Sequence, residues 1–368
     1  MVLLIDIMDA GDLNQEINDG YVSERYNDSK SLAILNYTPK AQYDRRWNDV
    51  TRACRGLIYN PDTLEIVARP FEKFFNWDEG AIKYPPPGPV LRMPKMDGSL
   101  GILYTETEKA DNGLDVISRY KIATRGSMNS EQALWATRLF NDMLYLHEEA
   151  IDFFPVVGKT YLFEIIYPEN RIVVDYGGAE RLTLLDVIDN ETGFPDTDEF
   201  DNCAWPDKVT RELLPGFDSG QVADIPEGEE GFVYLWPARN FRTKMKSSTY
   251  VELHRIIFNL TPKNIWRAIV AGKTLDQIKE PFPDEFYDEI EEHFNSIYDA
   301  YGAIVDELMT AYYSIPPTAD RKAFAAQVKK HPRHLQGLLF AVKDMKPTFE
   351  TIMRMVEPKG DKPRLEEE

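Results

Sequence analysis

A lysine at position 95 is placed where its amine can act as a nucleophile. The segment Lys95–Gly101 reads KMDGSLG and joins the loop PPPGPVLRMP to the apolar run LGILY. A lysine amine attacks only when it is deprotonated, which requires desolvation or neighbouring cations. The Gly98–Ser99 pair allows a phosphate or a base to approach the backbone closely. A Lys-x-Asp-Gly match alone is weak evidence, because it also occurs by chance and Lys95 could be a solvated lysine in a turn. The choice between a nucleophile and a turn lysine therefore depends on the other motifs in the chain.

Four segments occur in an order and spacing that resemble the covalent nucleotidyltransferases, the superfamily of ATP-dependent ligases and mRNA capping enzymes. They are KMDGS at 95–99, FEII at 163–166, EEGFV at 229–233 and KMK at 244–246. Three more segments resemble elements of the tRNA-repairing class of bacteriophage RNA ligase: CRG at 54–56, RPFEKFFN at 69–76 and NRIV at 170–173. The resemblance covers roughly residues 30 to 255.

The resemblance implies catalytic roles for three lysines. Lys95 would attack the α-phosphate of ATP and carry AMP covalently. Lys244 and Lys246 are two residues apart on a predicted strand, so they share one face. They would neutralise the α-phosphate and favour the neutral amine of Lys95 by like-charge repulsion. The alternative for these two lysines is an exposed strand edge.

Two acids complete this implied centre. Glu164 would accept hydrogen bonds from the ribose hydroxyls of ATP, and the alternative is an acid on a sheet face. Glu230 is the candidate ligand for Mg²⁺ or Mn²⁺, because such hard cations take carboxylate oxygens. Glu229 is adjacent and points to the opposite face, so strand register decides between them. The resemblance favours Glu230.

Further positions are implied to bind the nucleotide. Tyr37, Arg55 and Lys73 match positions that engage the β- and γ-phosphates, where they would orient pyrophosphate opposite the nucleophile. Arg125 is expected to touch a substrate phosphate or AMP, and Tyr250 to lie near the nucleotide, although core packing is also open for Tyr250. Phe75 lies in the same RPFEKFFN segment, and a role in the site and packing in the hydrophobic core are equally open for it.

The strand after the third motif departs from the superfamily pattern. Many members stack adenine on an aromatic residue there, whereas this chain has Leu182-Thr183-Leu184-Leu185-Asp186. We therefore expect the base to lie between aliphatic side chains, including Val233.

The elements that must position these residues are predicted from hydrophobic patterns. Strands are predicted near 55–60, 64–71, 100–106, 160–167, 181–188 and 231–236, from β-branched and aromatic runs between turn signals. One helix is predicted over 130–150, with Leu134, Leu139, Met143 and Leu146 at helical spacing. The pattern favours an α+β fold and no doubly wound parallel sheet.

After about Tyr250 the apolar period becomes helical. Residues 286–308 repeat apolar side chains every three or four positions, and a second helical stretch is predicted over 321–345. We expect residues 1–250 to form an antiparallel-sheet, ATP-grasp-like adenylyltransferase domain and residues 251–368 a helical domain, with about the last ten residues disordered. The local net charge changes from +7 over 239–273 to −10 over 274–307 and +6 over 321–346. A basic segment of this kind suits contact with phosphate, and the plainer interpretation is a series of solvated helix faces.

Composition excludes several classes of protein. The 368 residues carry a net charge of −20, with 43% hydrophobic residues, as in an ordinary globular protein. The chain has two cysteines, which excludes a disulfide framework and a four-cysteine zinc site. The N-terminus lacks a basic region, and no stretch approaches about 18 apolar residues, so we expect neither secretion nor a membrane partner. A cytoplasmic location is expected, in the host cytoplasm if the chain is a phage protein, and a monomer is favoured.

The resemblance thus implies an ATP-dependent RNA ligase that acts on cleaved tRNA. Two alternatives remain open. A DNA ligase or capping enzyme would need a β-barrel OB domain after Lys246, which the helical period from about 284 argues against. A catalytically silent RNA-binding protein would keep the pocket as a nucleotide sensor, but it would not need Lys95, Glu164 and Glu230 together.

Overall fold

Short strands dominate the first 250 residues, as their β-branched and aromatic runs predict. The computed structural model describes residues 2–79, 85–109, 116–145, 153–170, 172–226, 228–257, 260–280, 282, 286–318 and 320–358. The first sheet is antiparallel, in the order β1 (Val22–Tyr26), β2 (Ala33–Tyr37), β3 (Arg55–Tyr59) and β4 (Ile66–Ala68). Four short helices accompany it: α1 (Leu4–Ile7), α2 (Ala10–Asn18), α3 (Pro39–Tyr43) and α4 (Asp49–Ala53).

Nine further strands form two sheets in the described residues. They are β5 (Phe75–Asn76), β6 (Val90–Lys95), β7 (Ser99–Lys109), β8 (Val116–Thr124), β9 (Lys159–Ile166), β10 (Arg181–Asp189), β11 (Glu212–Leu214), β12 (Gly231–Trp236) and β13 (Phe241–Lys246). The second sheet has the antiparallel order β10-β9-β7-β8. The third has the order β11-β6-β12-β13-β5, with only the β13–β5 pair parallel. Each of the six predicted strands is present.

Helices α5 (Glu131–Tyr145), α6 (Thr197–Asn202) and α7 (Ser248–Ile257) complete this part of the chain. Three 3-10 turns lie at Pro168–Asn170, Ser219–Asp224 and Pro237–Arg239. One apolar core joins the second and third sheets, with Phe163 and Ile165 from β9 packing with Met93 and Leu235. Trp205, only 1% exposed, stacks on Phe140 of α5 with ring centroids 5.2 Å apart.

Helix α5 is present as predicted, and its most buried positions differ from the four apolar positions that gave the helical spacing. Leu134 is 52% exposed, and Leu139 and Met143 are only partly buried. The buried positions are Ala133, Ala136, Phe140 and Leu144. The pattern missed them because the two alanines pack closely against the sheet and contribute little hydrophobic signal. Leu146 and the rest of the predicted helix, to 150, include residues outside the described part of the chain.

The C-terminal part is helical. Its helices are α8 (Pro262–Val270), α9 (Leu275–Lys279), α10 (Tyr287–Ser314), α11 (Arg321–Val328), α12 (Arg333–Lys343) and α13 (Phe349–Met355). The long helix α10 confirms the predicted period, with Ile290, Ile297 and Leu308 buried. In the described part of the chain after Lys246, the regular elements are all helices, which argues against an OB domain there.

The predicted stretch over 321–345 is two helices rather than one. Helix α11 ends at Val328 and α12 begins at Arg333, with Pro332 as its N-cap residue. Proline lacks a backbone N–H and its ring clashes with the preceding helical turn, so a single helix cannot run through Pro332 without breaking. Leu335, Leu338 and Leu339 then pack with Phe324 and Leu308 in one core.

The chain divides into two compact units, Met1–His254 and Arg255–Glu368. The activities expected for residues 1–250 and 251–368 stay predictions. Residues 359–368, where disorder is expected, lie outside the described part of the chain. Among the described residues, no helix is both long and apolar enough to cross a membrane.

Candidate nucleotidyl-transfer site

Three adjacent strands of the third sheet bring Lys95 and Lys246 together. Strand β12 lies between β6 and β13, and its Gly231 is paired with Lys95 on one side and Lys246 on the other. Residues in register on neighbouring strands point to the same face, so the two lysines flank Gly231. Lys244 lies one row further along, opposite Val233. The shared face predicted for Lys244 and Lys246 is therefore the face that carries Lys95.

Only glycine fits between these lysines. Gly231 has φ +156°, and a Cβ atom there would lie 2.0 Å from the Met245 carbonyl oxygen. The close approach of β12 to β13 at this point sets the position of Lys246 relative to Lys95.

A buried carboxylate joins the two lysines. Glu230 immediately precedes β12 and is 2% exposed. Its Oε2 accepts a hydrogen bond of 2.7 Å from Lys95 Nζ, and its Oε1 lies 3.1 Å from Lys246 Nζ. Glu229 is exposed. The side chain of Glu230, and not that of Glu229, therefore lies beside Lys95.

Glu164 lies in β9, close to the loop that follows Lys95. A Cβ atom on Gly98 would lie 2.6 Å from the Ile165 carbonyl oxygen and 3.1 Å from Glu164 Cγ, so glycine is required there. Burial, reinforced by the charges of Glu230 and Asp97, raises the pKa of Glu164 to about 8, although Lys95 and Arg55 oppose the rise. Glu164 is therefore mostly protonated at neutral pH before substrate binds.

Asp97 anchors the loop after Lys95, a role that the sequence did not reveal. Its Oδ2 accepts hydrogen bonds of 2.8 Å from the backbone N–H groups of Val173 and Val174. Its Oδ1 accepts one of 2.8 Å from the Tyr250 hydroxyl, and its own N–H donates to Tyr176 Oη. Tyr250 thus contacts the Lys95 loop through Asp97. Sequence reasoning assigned no role to Asp97, because a single acid in a turn forms no recognisable pattern. The signal that could have selected it is its place within the KMDGS motif.

A second group of site residues lies at the first sheet. Arg125 donates a hydrogen bond to the Tyr37 hydroxyl, and its guanidinium lies 4.7 Å from the centre of the Tyr37 ring. Lys73 is 5% exposed, with Nζ 5.2 Å from the Trp47 ring and 5.5 Å from the Phe75 ring. Trp47 is a neighbour that the sequence gave no reason to select. Phe75 is buried and packs edge-on against Trp47, consistent with the core role left open for it.

Arg55 carries an unused donor. Its Nη1 is buried and has no hydrogen-bond partner among the described residues. Burial lowers the pKa of the Arg55 guanidinium, and Arg125 adds to this, whereas Tyr37 and Glu164 oppose it. The charges of Arg55 and Lys95 both oppose the rise in the pKa of Glu164, so this carboxyl lies near a member of each group of residues. Val233 is partly buried against the core of the second and third sheets.

Glu230 can contribute to a metal site but cannot form one alone. No group of three or more metal-binding side chains of the His, Cys, Asp and Glu types occurs in the described residues. Mg²⁺ commonly binds through one or two carboxylates together with substrate phosphates and water. A buried carboxylate beside two lysine ammonium groups fits that mode of binding.

Comparison with known proteins connects this region to RNA ligases. Residues 53–211 match the model of the RNA ligase family, and this segment includes Arg55, Lys73, Lys95, Arg125 and Glu164. The chain is 22% identical to an RNA ligase of Rhodothermus phage RM378, over 84% of each chain. It is 29% identical to a protein named as an RNA ligase from Thermovibrio ammonificans, over 62% of this chain and 63% of that one.

A third relative is longer. A protein of Autographa californica nuclear polyhedrosis virus named as a bifunctional polynucleotide kinase/RNA ligase is 28% identical over 61% of this chain, and the match spans about a third (33%) of that relative. Among solved structures, an archaeal ATP-dependent RNA ligase aligns with a TM-score of 0.45 and 16% identity, over 87% of this chain and 85% of that one. A Naegleria gruberi RNA ligase with ATP and Mn aligns with a TM-score of 0.32 and 16% identity, over 46% and 52%.

The raised pKa of Glu164 predicts a specific pH dependence of stability. In the unfolded chain this carboxyl loses its proton near its ordinary pKa of 4.5, whereas in the folded protein it keeps the proton to about 8. The folded state therefore binds more protons in this window, and its free energy of unfolding falls as pH rises from about 5 to 8. In Glu164→Gln this loss, of the order of a few kcal/mol, should disappear. Urea unfolding at pH 5, 7 and 9 measures it, and a difference between the two proteins that does not change with pH would contradict the assignment.

Proposed function

We propose that this protein is an ATP-dependent RNA ligase that works through a lysyl-AMP intermediate on Lys95. The observation that carries the proposal is the ion-paired set Lys95–Glu230–Lys246, which three adjacent strands hold beside the buried Glu164. An amine nucleophile, cations for phosphate and a buried carboxylate are the groups that nucleotidyl transfer to lysine requires. The match of residues 53–211 to RNA ligases supports RNA as the acceptor.

In the first step the Lys95 amine attacks the α-phosphorus of ATP. A phosphorus–nitrogen bond forms, the bond to the β-phosphate oxygen breaks, pyrophosphate leaves and the amine loses a proton. Lys244 and Lys246 neutralise the charge that develops on the α-phosphoryl oxygens. Arg55, Lys73 and Tyr37 hold the β- and γ-phosphates so that pyrophosphate departs opposite the amine, with the unpartnered Nη1 of Arg55 donating to a phosphate oxygen.

The next two steps use the same centre. An oxygen of an RNA 5′-phosphate attacks the lysyl-AMP, which frees Lys95 and leaves RNA capped by AMP through a pyrophosphate. A 3′-hydroxyl then attacks the RNA 5′-phosphorus, AMP leaves and a phosphodiester forms. Glu164 accepts hydrogen bonds from the ribose of AMP, Arg125 contacts AMP or a substrate phosphate, and Val233 lies against the adenine. Tyr250 acts near the nucleotide through Asp97.

Glu230 is the residue that would hold Mg²⁺ or Mn²⁺. A cation bound there supplies charge neutralisation and polarisation of the phosphoryl group. The carboxylate oxygens that would bind this cation are those that now contact Lys95 and Lys246. A cation held by Glu230 would occupy carboxylate oxygens that now contact Lys95, and would so loosen the contact of Glu230 with that lysine.

The substrate proposed is a tRNA broken in its anticodon loop, sealed by a monomer in the cytoplasm, in the host cytoplasm if the chain is a phage protein. Residues 1–250 would carry adenylyl transfer. Residues 251–368 would recognise the shape of the RNA, since structured RNA is recognised largely through backbone and shape. The basic surplus over 321–346 supports phosphate contact there.

Lys95→Ala should abolish covalent labelling by ATP. Lys95 supplies the amine that is proposed to form the phosphorus–nitrogen bond, so label surviving denaturation should fall to background while sealing of pre-adenylated RNA continues in part. Incubation with ATP labelled at the α-phosphate, followed by denaturing electrophoresis, measures this, with labelled GTP and NAD as nucleotide controls. Labelling that persists in the variant would place the nucleophile elsewhere.

The full-length protein should seal a nicked anticodon stem-loop faster than an unstructured strand with the same ends. Initial sealing rates at matched salt test this, because phosphate contacts make binding salt-dependent. A nicked RNA duplex that is not an anticodon stem-loop serves as the control for RNA shape. Equal rates on all three RNAs would remove tRNA repair from the proposal and leave ligation intact.

A further inference from the structure

Asn76 stands beside Lys244 on the face that carries the proposed nucleophile. The edge strand β5 pairs in parallel with β13, and the register places Asn76 opposite Lys244. Side chains in register on adjacent strands share a face, and neighbouring strands lie about 4.8 Å apart. Asn76 therefore extends the row formed by Lys244, Val233 and Met93 to the edge of the sheet. None of the roles proposed above uses this residue.

The backbone around Asn76 is fixed from both sides. The Asn76 N–H donates a 2.7 Å hydrogen bond to the Glu79 carboxylate, and the Glu79 N–H donates back to the Asn76 carbonyl at 3.1 Å. The Trp77 N–H donates to the Lys244 carbonyl at 3.0 Å. The backbone position from which the Asn76 side chain extends is thus set before any substrate arrives, as a preorganised binding group needs.

The amide of Asn76 lacks partners within the described protein. Its Oδ1 is buried without a hydrogen bond, and its Nδ2 donates to no described residue. A buried amide end without a partner destabilises a folded protein and therefore calls for an explanation. Rotation of the amide by 180° exchanges Oδ1 and Nδ2, so the same buried position can present an N–H donor. The unused donor of Arg55 is a second such group in the proposed phosphate site.

Asn76 stands beside the cation that is proposed to meet the α-phosphate. Lys244 lies opposite it on the neighbouring strand. Lys73, proposed to meet the β- and γ-phosphates, is three residues earlier in the chain. A donor beside Lys244 would therefore meet an oxygen of the α-phosphate or of the bond that joins it to the β-phosphate.

We propose that Asn76 is a catalytic residue of the adenylation step, whose Nδ2–H group donates to a phosphate oxygen at the α–β junction of ATP. This inference rests on the proposed lysyl transfer to Lys95. A neutral donor at the junction stabilises the charge that builds up as the bond to the β-phosphate breaks, without competing with the lysines for Glu230. The same contact would hold pyrophosphate during the reverse reaction.

The test compares two steps in the full-length protein. Asn76→Ala should slow single-turnover adenylation by ATP about a hundredfold, the lower end of the range seen when one preorganised donor is removed. It should also weaken the use of pyrophosphate in the reverse reaction. Sealing of pre-adenylated RNA, which contains no pyrophosphate leaving group, should change less than about threefold. Arg55→Ala is the reference for a phosphate-site variant.

Asn76→Asp distinguishes contact with substrate from a structural role. Aspartate has nearly the same shape but replaces the N–H donors with a charged oxygen, so adenylation should fall further than in the alanine variant. Both variants should unfold within a few degrees of the wild type, because no hydrogen bond of the side chain is lost. Asn14→Ala, at an exposed position in α2, is the matched control and should adenylate normally.

The outcomes separate the two levels of the proposal. Absence of adenylation in the wild-type protein would overturn both the proposed function and the role of Asn76. Normal adenylation by the wild type and by both Asn76 variants would overturn the role of Asn76 alone. Equal losses in adenylation and in sealing of pre-adenylated RNA would also overturn it, since a contact at the α–β junction exists only in the first step.

Discussion

A single buried carboxylate determines how the centre of this protein is arranged. Glu230 contacts Lys95 on one side and Lys246 on the other, at 2.7 Å and 3.1 Å. A buried carboxylate without partners is costly, and two ammonium groups that face each other without an anion repel. The three groups therefore stabilise one another in a place where none would be stable alone. The same arrangement holds the amine of Lys95 near a second cation, where a phosphate can replace the carboxylate as the anionic partner.

Backbone register, rather than any local motif, brings these groups into contact. Gly231 lies between Lys95 and Lys246 because β12 pairs with β6 and β13 at once. Gly98 lets the loop after Lys95 lie against β9, which carries Glu164. Asp97 secures the same loop to the backbone at Val173 and Val174. A side chain at either glycine would move the lysine relative to its partners, so both glycines belong to the geometry of the site.

The sequence predicts much of the fold and less of the contacts. The strands at 55–59 and 231–236 follow from β-branched and aromatic runs, since these patterns reflect short-range physics. The buried positions Ala133 and Ala136 of α5 were not selected from the sequence, because alanines pack closely without a strong hydrophobic signal. The choice of Glu230 over Glu229 and the anchoring by Asp97 depend on pairings between residues far apart in sequence. Periodicity contains no information about such pairings, and the resemblance supplied the roles without the geometry.

The proposed reactivity of Lys95 depends on electrostatic control of its amine by Glu230 and Lys246, and one comparison tests this control directly. The measurement is the pH of half-maximal single-turnover adenylation in the wild type, Glu230→Gln and Lys246→Ala. Removing the negative charge of Glu230 should make the amine easier to deprotonate and shift this midpoint to lower pH, even if the rate falls. Without the positive charge of Lys246, Glu230 pairs with Lys95 alone and stabilises its ammonium form more strongly. The midpoint should then shift to higher pH. Midpoints that are unchanged, or that shift in the same direction in both variants, would contradict the account.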